Sequence, residues 1–242
     1  YDPIGFASPF VLPAKQLLQR LCQAKYGWDE ALPEDEVERW RIWQESITRL
    51  KTVTIPRCVK GNLSANIQSI EVHNFADASK EGYGVASYLR QVDEEGNVII
   101  LLLVAKSRVT PLKPVTIPRL ELTAAVLAVK LNRQIEEELE LPADRVVFWT
   151  DSTVVLQYIN NESKRFQTFV ANRLAMIHDM SKPSMWRHVD TKSNPADYAS
   201  RGLKADEQPK IKTWLNGPNF LREDEDKWPE MPKGLKECQT NS

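Results

Sequence analysis

Twenty residues at 120–139, LELTAAVLAVKLNRQIEEEL, contain neither Gly nor Pro and are mostly good helix formers. A helix this long has no place in an all-β fold, yet its surroundings are strand-like. Before it come 69–76 (SIEVHNFA), 84–90 (GVASYLR) and 98–107 (VIILLLVAKS). Gly82 and Gly84 mark a turn between the first two runs, and DEEGN at 93–97 is a hairpin turn before the third. After the helix, Pro142 breaks the chain and RVVFWT at 145–150 reads as a short apolar strand. Helices follow at 152–160 and 165–180, then a strand at 185–189 and a short helix at 194–201, closed by Gly202. This order predicts an α/β fold, a mixed five-stranded sheet with helices on its faces.

Residues 1–60 read as helical. Pro13 opens a stretch with Leu17, Leu18, Leu21 and Cys22 on one side, and Gly27 stops it. Pro33 and the acids Glu34, Asp35 and Glu36 start a second helix, in which Val37, Trp40, Ile47 and Leu50 recur at three- and four-residue steps and which also carries Trp43. Trp28, Trp40 and Trp43 are expected in a core. Residues 206–242 are acidic and rich in Pro and Trp, with no domain of their own.

Charge narrows the function classes. Thirty-two basic side chains face 33 acidic ones, a net charge of −1 that argues against indiscriminate nucleic-acid binding. The distribution is uneven: residues 61–100 carry two basic groups against six acids, and residues 164–204 carry eight against three, so one region is suited to face phosphates. The longest apolar run, 98–105, is far short of a membrane-spanning helix, and no signal-peptide pattern is present. The first residue, Tyr1, suggests a piece of a longer polypeptide. Three scattered cysteines, Cys22, Cys58 and Cys238, argue against a disulfide framework and fit a reducing compartment. None lies near His73, His178 or His188, which argues against structural zinc.

Four acids carry the chemistry. Asp77 follows the first apolar strand, Asp151 follows VVFWT, Glu121 lies in the first turn of the long helix, and Asp197 lies in the last short helix. An acid ending a buried strand is costly unless it is paired or binds a cation. Clustered carboxylates suit hard divalent cations, and two such cations can activate water against a phosphodiester. Each strand-end acid also has a structural use to be weighed: Asp151 as a helix cap before Ser152, and Asp77 as a turn residue.

Four segments in this order, FADASKEGYGVASY, IPRLELTAAVLA, VVFWTDSTVVLQYI and NPADYASRG, resemble the signature segments of a retroelement ribonuclease H, in particular that of BEL/Pao-type LTR retrotransposons. YDPIGFASPF and the helices after it resemble the end of the reverse-transcriptase region in such polyproteins, and WLNGPNFL with KWP resembles the segment leading to integrase. The resemblance implies three regions: 1–62, the helical end of the reverse-transcriptase region; 63–205, an RNase H-like domain with a mixed five-stranded sheet and helices on both faces; and 206–242, a tail or linker towards integrase. It also implies that Asp77, Glu121, Asp151 and Asp197 bind two Mg²⁺ or Mn²⁺ ions and hydrolyse the RNA strand of an RNA–DNA hybrid, leaving 3′-hydroxyl and 5′-phosphate ends. The expected partners are that hybrid and the polymerase domain of the same polyprotein, with no membrane involved. The expected location is cytoplasmic, within virus-like particles and not secreted. The helix pair at 1–60 is expected to dock on the nuclease through its tryptophans.

Lesser expectations attach to Ser79, Ser152, Arg119 and Asn194 as contacts to substrate, each weighed against capping or surface solubility. Cellular ribonucleases H carry a mobile histidine in the loop before the last aspartate. Here His188 falls within a strand, and it is kept only as a weak candidate. Two other functions compete. An aspartic peptidase needs Asp-Thr-Gly or Asp-Ser-Gly loops, whereas the words here are Asp77-Ala78-Ser79 and Asp151-Ser152-Thr153. A host-recruited, catalytically silent module would keep the fold as a binding scaffold; the presence of all four acids favours activity.

Overall fold

The computed structural model describes residues 2–55, 67–139, 142–161 and 165–235. Cys58, Cys238 and the expected boundary at 62–63 lie outside them. Five strands, β1 (Ile67–Ala78), β2 (Gly82–Asp93), β3 (Val98–Val109), β4 (Arg145–Thr150) and β5 (Trp186–His188), form one sheet in the order β3-β2-β1-β4-β5. The first three strands are an antiparallel meander, and β4 and β5 run parallel to β1. Asp93 shapes the turn between β2 and β3 by accepting from the amides of Glu95 and Asn97, while Gly96 takes a φ of +82°.

One face of the sheet packs against α3 (Ile117–Leu139), which is backed by α4 (Thr153–Ile159) and α5 (Thr168–Met180). Ala124, Ala125 and Ala128 are fully buried there, and small side chains let the helix lie close to the strands. The helix begins at Ile117, earlier than expected, so Glu121 sits in its second turn and not its first. Pro118, which needs no partner for an amide, suits that opening turn.

The opposite face carries Phe75, Tyr88 and Trp149 and is covered by α6 (Ala196–Arg201) and α7 (Gln208–Asn216). Residues 206–230, expected as part of a tail, fold over this face as a strap that buries Trp214, Leu221 and Trp228, and Leu235 beyond it joins the core on the α3 side. The guanidinium carbons of Arg90, Arg145 and Arg187 stand 5.4, 5.6 and 5.4 Å from the Trp228 ring centre, and Glu225 bridges Arg145 and Arg187. Composition did not show this because the strap is one nine-residue helix and three-to-four-residue turns, too short for a clear period.

The N-terminal helix α1 (Ser8–Gln23) starts before Pro13 and contains it. Pro13 cannot donate to the carbonyl of Pro9; that carbonyl instead accepts from the amide of Leu203 at 3.0 Å. The segment runs along the outer edge of β3. The amide of Ala105 donates to the Ile4 carbonyl, Lys15 Nζ donates to Ser107 O, and Gln19 Nε2 donates to Thr110 O. An open edge is thereby covered. The second helix, α2 (Glu34–Thr48), buries no residue. Trp28 is fully exposed and Trp40 is 38% exposed, stacked on Trp43. Trp43 donates to Phe10 O, so the tryptophans attach α2 to α1, and it is α1 that docks on the sheet. Among the described residues no helix is long and apolar enough to cross a membrane.

Gly84 on β2 lets α6 approach at backbone distance. A Cβ there would lie 2.5 Å from Ala199 Cβ and 2.8 Å from Ala199 C. Gly84→Ala is therefore expected to lower stability by about 1–3 kcal/mol, the usual cost of overpacking. Urea unfolding checks this, and an unchanged midpoint would show that α6 yields freely.

Candidate active site

Parallel pairing of β1 with β4 sets the site. Its register ends at Ala76 opposite Thr150, so the next residues, Asp77 and Asp151, leave neighbouring strands at the same end of the sheet. Adjacent strands lie about 4.8 Å apart, so the two carboxylates begin as close neighbours. Asp77 is only 5% exposed, and Asp151 is half-buried. Glu121 approaches from α3 and Asp197 from α6, both half-buried.

The structural duties open to the strand-end acids are performed by the serines beside them. Ser152, not Asp151, caps α4, its Oγ accepting from the Val155 amide at 3.2 Å. Ser79, not Asp77, organises the turn into β2: its Oγ accepts from the amides of Glu81 and Gly82, and its amide donates to Gly82 O.

Among the described residues each acid has one side-chain donor. Ser200 Oγ donates to Asp77 Oδ2, Ser152 Oγ to Glu121 Oε2 at 2.7 Å, Thr191 Oγ1 to Asp151 Oδ2 at 2.7 Å, and Arg201 Nε to Asp197 Oδ1. Burial pushes the Asp77 carboxyl up to about 7. The charges of Asp151 and Asp197 push the same way, against Ser200 and Arg201. Burial also raises Glu121, helped by Asp151 and opposed by Ser152. The four acids thus form one electrostatic cluster. Among the described residues, no three His, Cys, Asp or Glu side chains are already drawn together as a ligand set. The donor chemistry, four carboxylates and no thiolate or imidazole, fits hard divalent cations.

The lesser candidates divide. Ser152 is buried and joins the cap to Glu121. Ser79 and Asn194, expected to face substrate, are buried and spent on the protein's own backbone. Ser79 Oγ donates to Ser200 O at 2.8 Å, while Asn194 Nδ2 donates to Ala76 O and its Oδ1 accepts from the Ala196 amide. Arg119 is exposed two residues before Glu121. It donates to Gln167 Oε1 and lies over the Phe169 ring, which Arg173 also covers. His188 is half-buried on β5, opposite Thr150. Ser200 and Thr191 were not singled out in the sequence. Ser200 carries a signal, lying one helical turn after Asp197 in NPADYASRG; Thr191 carries none.

The Asp77 carboxyl gives a pH test. Its folded value of about 7 lies above the ordinary 3.8, so between these limits the folded protein holds a proton that the unfolded chain has released. This contribution is therefore fully present below about pH 4 and is lost as pH rises through 7, at about 1.4 kcal/mol per unit of separation. Without divalent cations, Asp77→Asn should be more stable than the wild type above pH 7, and the difference should shrink towards pH 4. Thermal melts across pH measure it; parallel curves would refute the assignment.

Comparison with known proteins gives the chain its place. Among curated proteins none matches. Solved structures with some similarity include RNase H1 from the halophilic archaeon Halobacterium salinarum, at 12% identity and a TM-score of 0.35, covering 54% of this chain and 93% of that one. LC11-RNase H1 in complex with an RNA/DNA hybrid shows 16% identity and a TM-score of 0.36, with 54% and 93% covered. The foamy viral protease-reverse transcriptase in complex with dsDNA shows 14% and 0.28, with 77% and 37% covered. The sequence model of one family matches residues 1–152, across α1, α2, the first four strands and the first three acids. By that match the chain belongs to the Pao retrotransposon-like RNaseH-like domain family.

Proposed function

We propose that the protein is a metal-dependent endonuclease that hydrolyses the RNA strand of RNA–DNA hybrids during reverse transcription of a BEL/Pao-type retroelement. One observation carries the reading: Asp77 and Asp151 stand side by side at the end of a buried sheet, while Ser79 and Ser152 do the turn and capping work those acids would otherwise explain. Like charges kept together without a structural task point to chemistry.

In this reading Asp77, Glu121, Asp151 and Asp197 hold two Mg²⁺ or Mn²⁺ ions. Bound there, such ions would supply an activated water and charge stabilisation for the leaving oxygen of a phosphodiester. The protein's own side chains orient the cluster and place the hybrid against it. Arg119 and Arg173, which make no ion pair among the described residues, are suited to the hybrid's phosphates. Selection of the hybrid would rest on its shape and its 2′-hydroxyls. The polymerase region of the same polyprotein would position that hybrid, and the setting would be a cytoplasmic virus-like particle.

The test is cleavage of a labelled hybrid by this chain with Mg²⁺ or Mn²⁺, with duplex DNA and duplex RNA as controls. Asp151→Asn should reduce cleavage by more than about 100-fold, beyond what loss of an outer contact to a metal site costs. It should also leave the fold as stable as before or slightly more so, since a carboxylate repulsion is relieved. No cleavage by the folded wild type under either metal would favour the catalytically silent module. A large fall in melting temperature for Asp151→Asn would make Asp151 structural.

A further inference from the structure

The four acids share a pattern. In each, one oxygen is held by a single donor: Asp77 Oδ2 by Ser200, Glu121 Oε2 by Ser152, Asp151 Oδ2 by Thr191 and Asp197 Oδ1 by Arg201. Among the described residues the other oxygen of each accepts no hydrogen bond. None of these four oxygens is sealed from solvent either; the sealed, unpartnered side-chain atoms are Gln16 Nε2, Gln91 Oε1 and Ser107 Oγ. A carboxylate offers about four lone-pair sites and turns easily about its last bond. One charge-assisted bond to one oxygen sets that rotation and decides which oxygen is presented.

We propose that Ser200, Ser152, Thr191 and Arg201 are positioning residues, each holding one oxygen of an acid so that the four remaining oxygens, one per acid, form the set offered to divalent cations. This rests on the nuclease reading above. Three of the four bonds join different parts of the fold. Ser200 reaches from α6 to the acid of β1, Ser152 from the start of α4 to the acid of α3, and Thr191 from the loop after β5 to the acid that follows β4. The acids are thereby fixed relative to one another, and not only to their own backbones.

Ser200 is the most informative of the four. It is wholly buried, and its hydroxyl has a single proton with two acceptors in reach, Asp77 Oδ2 and Asp197 O at 3.1 Å. In its ionised form, the form that would bind a cation, the Asp77 carboxylate is the stronger acceptor. Given to Asp77, that proton ties the strand acid to the helix that carries Asp197. The Ser200 carbonyl accepts from Ser79 Oγ, which anchors the same helix to the turn after β1. Ser152 makes a poorer probe, because removing its hydroxyl also removes the cap of α4. Thr191 is exposed and can be changed with little risk to the core.

A role confined to making buried charge tolerable would affect stability alone. The experiment therefore reads cation binding: titration calorimetry of Mn²⁺ into the full chain, for the wild type, Ser200→Ala, Thr191→Val and Thr191→Ser. Ser200→Ala and Thr191→Val should bind Mn²⁺ about 10–100-fold more weakly, as for other lost outer contacts to a metal site, and Thr191→Ser should bind nearly as the wild type. Folded variants that bind as tightly as the wild type overturn the proposal, as does a wild type that binds no Mn²⁺. If Ser200→Ala does not fold, the Thr191 pair decides alone. Hybrid cleavage scored on the same samples separates the two readings. A wild type that binds Mn²⁺ and cuts nothing, with weakened variants, keeps the positioning role and loses the nuclease. A wild type that cuts, with variants that bind unchanged, does the reverse.

Discussion

The parallel pairing of β1 and β4 is the constraint on which the rest depends. Parallel neighbours put their C-terminal ends at the same end of the sheet, so an acid in the last residues of β1 and an acid just after β4 must meet there. That juxtaposition costs electrostatic energy, seen in the raised Asp77 carboxyl. The surrounding elements bear the consequence. α6 comes close enough to β2 for Ser200 to reach Asp77, which Gly84 permits; α4 is capped by a serine that also reaches Glu121; and the loop after β5 brings Thr191 to Asp151.

Much of this was legible in the residues. The order of three strands, a long helix and a further strand followed from changes of period and from turn words, and all five strands are where the pattern places them; β1, β2 and β3 are longer than read, β4 has the expected bounds and β5 is shorter. The positions of Asp77 and Asp151 were legible because apolar runs lead directly into them. What escaped was tertiary. Gly84 reads as a turn residue until α6 is seen against it. Ser79 reads as a substrate contact or a cap and Asn194 as a substrate contact or a surface group, but the bonds of Ser79 to Ser200 O and of Asn194 to Ala76 O go to distant backbone groups that no local pattern reveals. Pro13 reads as a helix start because a proline inside a helix is costly, and the amide of Leu203 that relieves it is distant in sequence.

The tryptophans show the same limit from the other side. Helical spacing assigned Trp28 and Trp40 to a core, yet Trp28 is fully exposed and Trp40 only stacks on Trp43. Trp214 and Trp228, in a segment with no strong period, are deeply buried, as are Trp149 and Trp186 of the sheet. Periodicity finds an apolar face only where an element is long enough to have one. Trp228 of the strap meets arginines of β2, β4 and β5, a contact written across three distant strands.

The cover on β3 has a consequence in time. The N-terminal segment bonds to Ala105 across 97 residues, and Phe6 O accepts from Trp214 across 208. A ribosome adds about 5–20 residues per second, so the first helix is synthesised some 5–20 s before the edge it shields. Loops of that span are slow to close. During that interval α1 has no sheet to dock on, and the last contact waits until α7 has been made. Phe10, Leu12 and Leu17, buried in the finished fold, are the first apolar side chains of this segment that must wait for a partner.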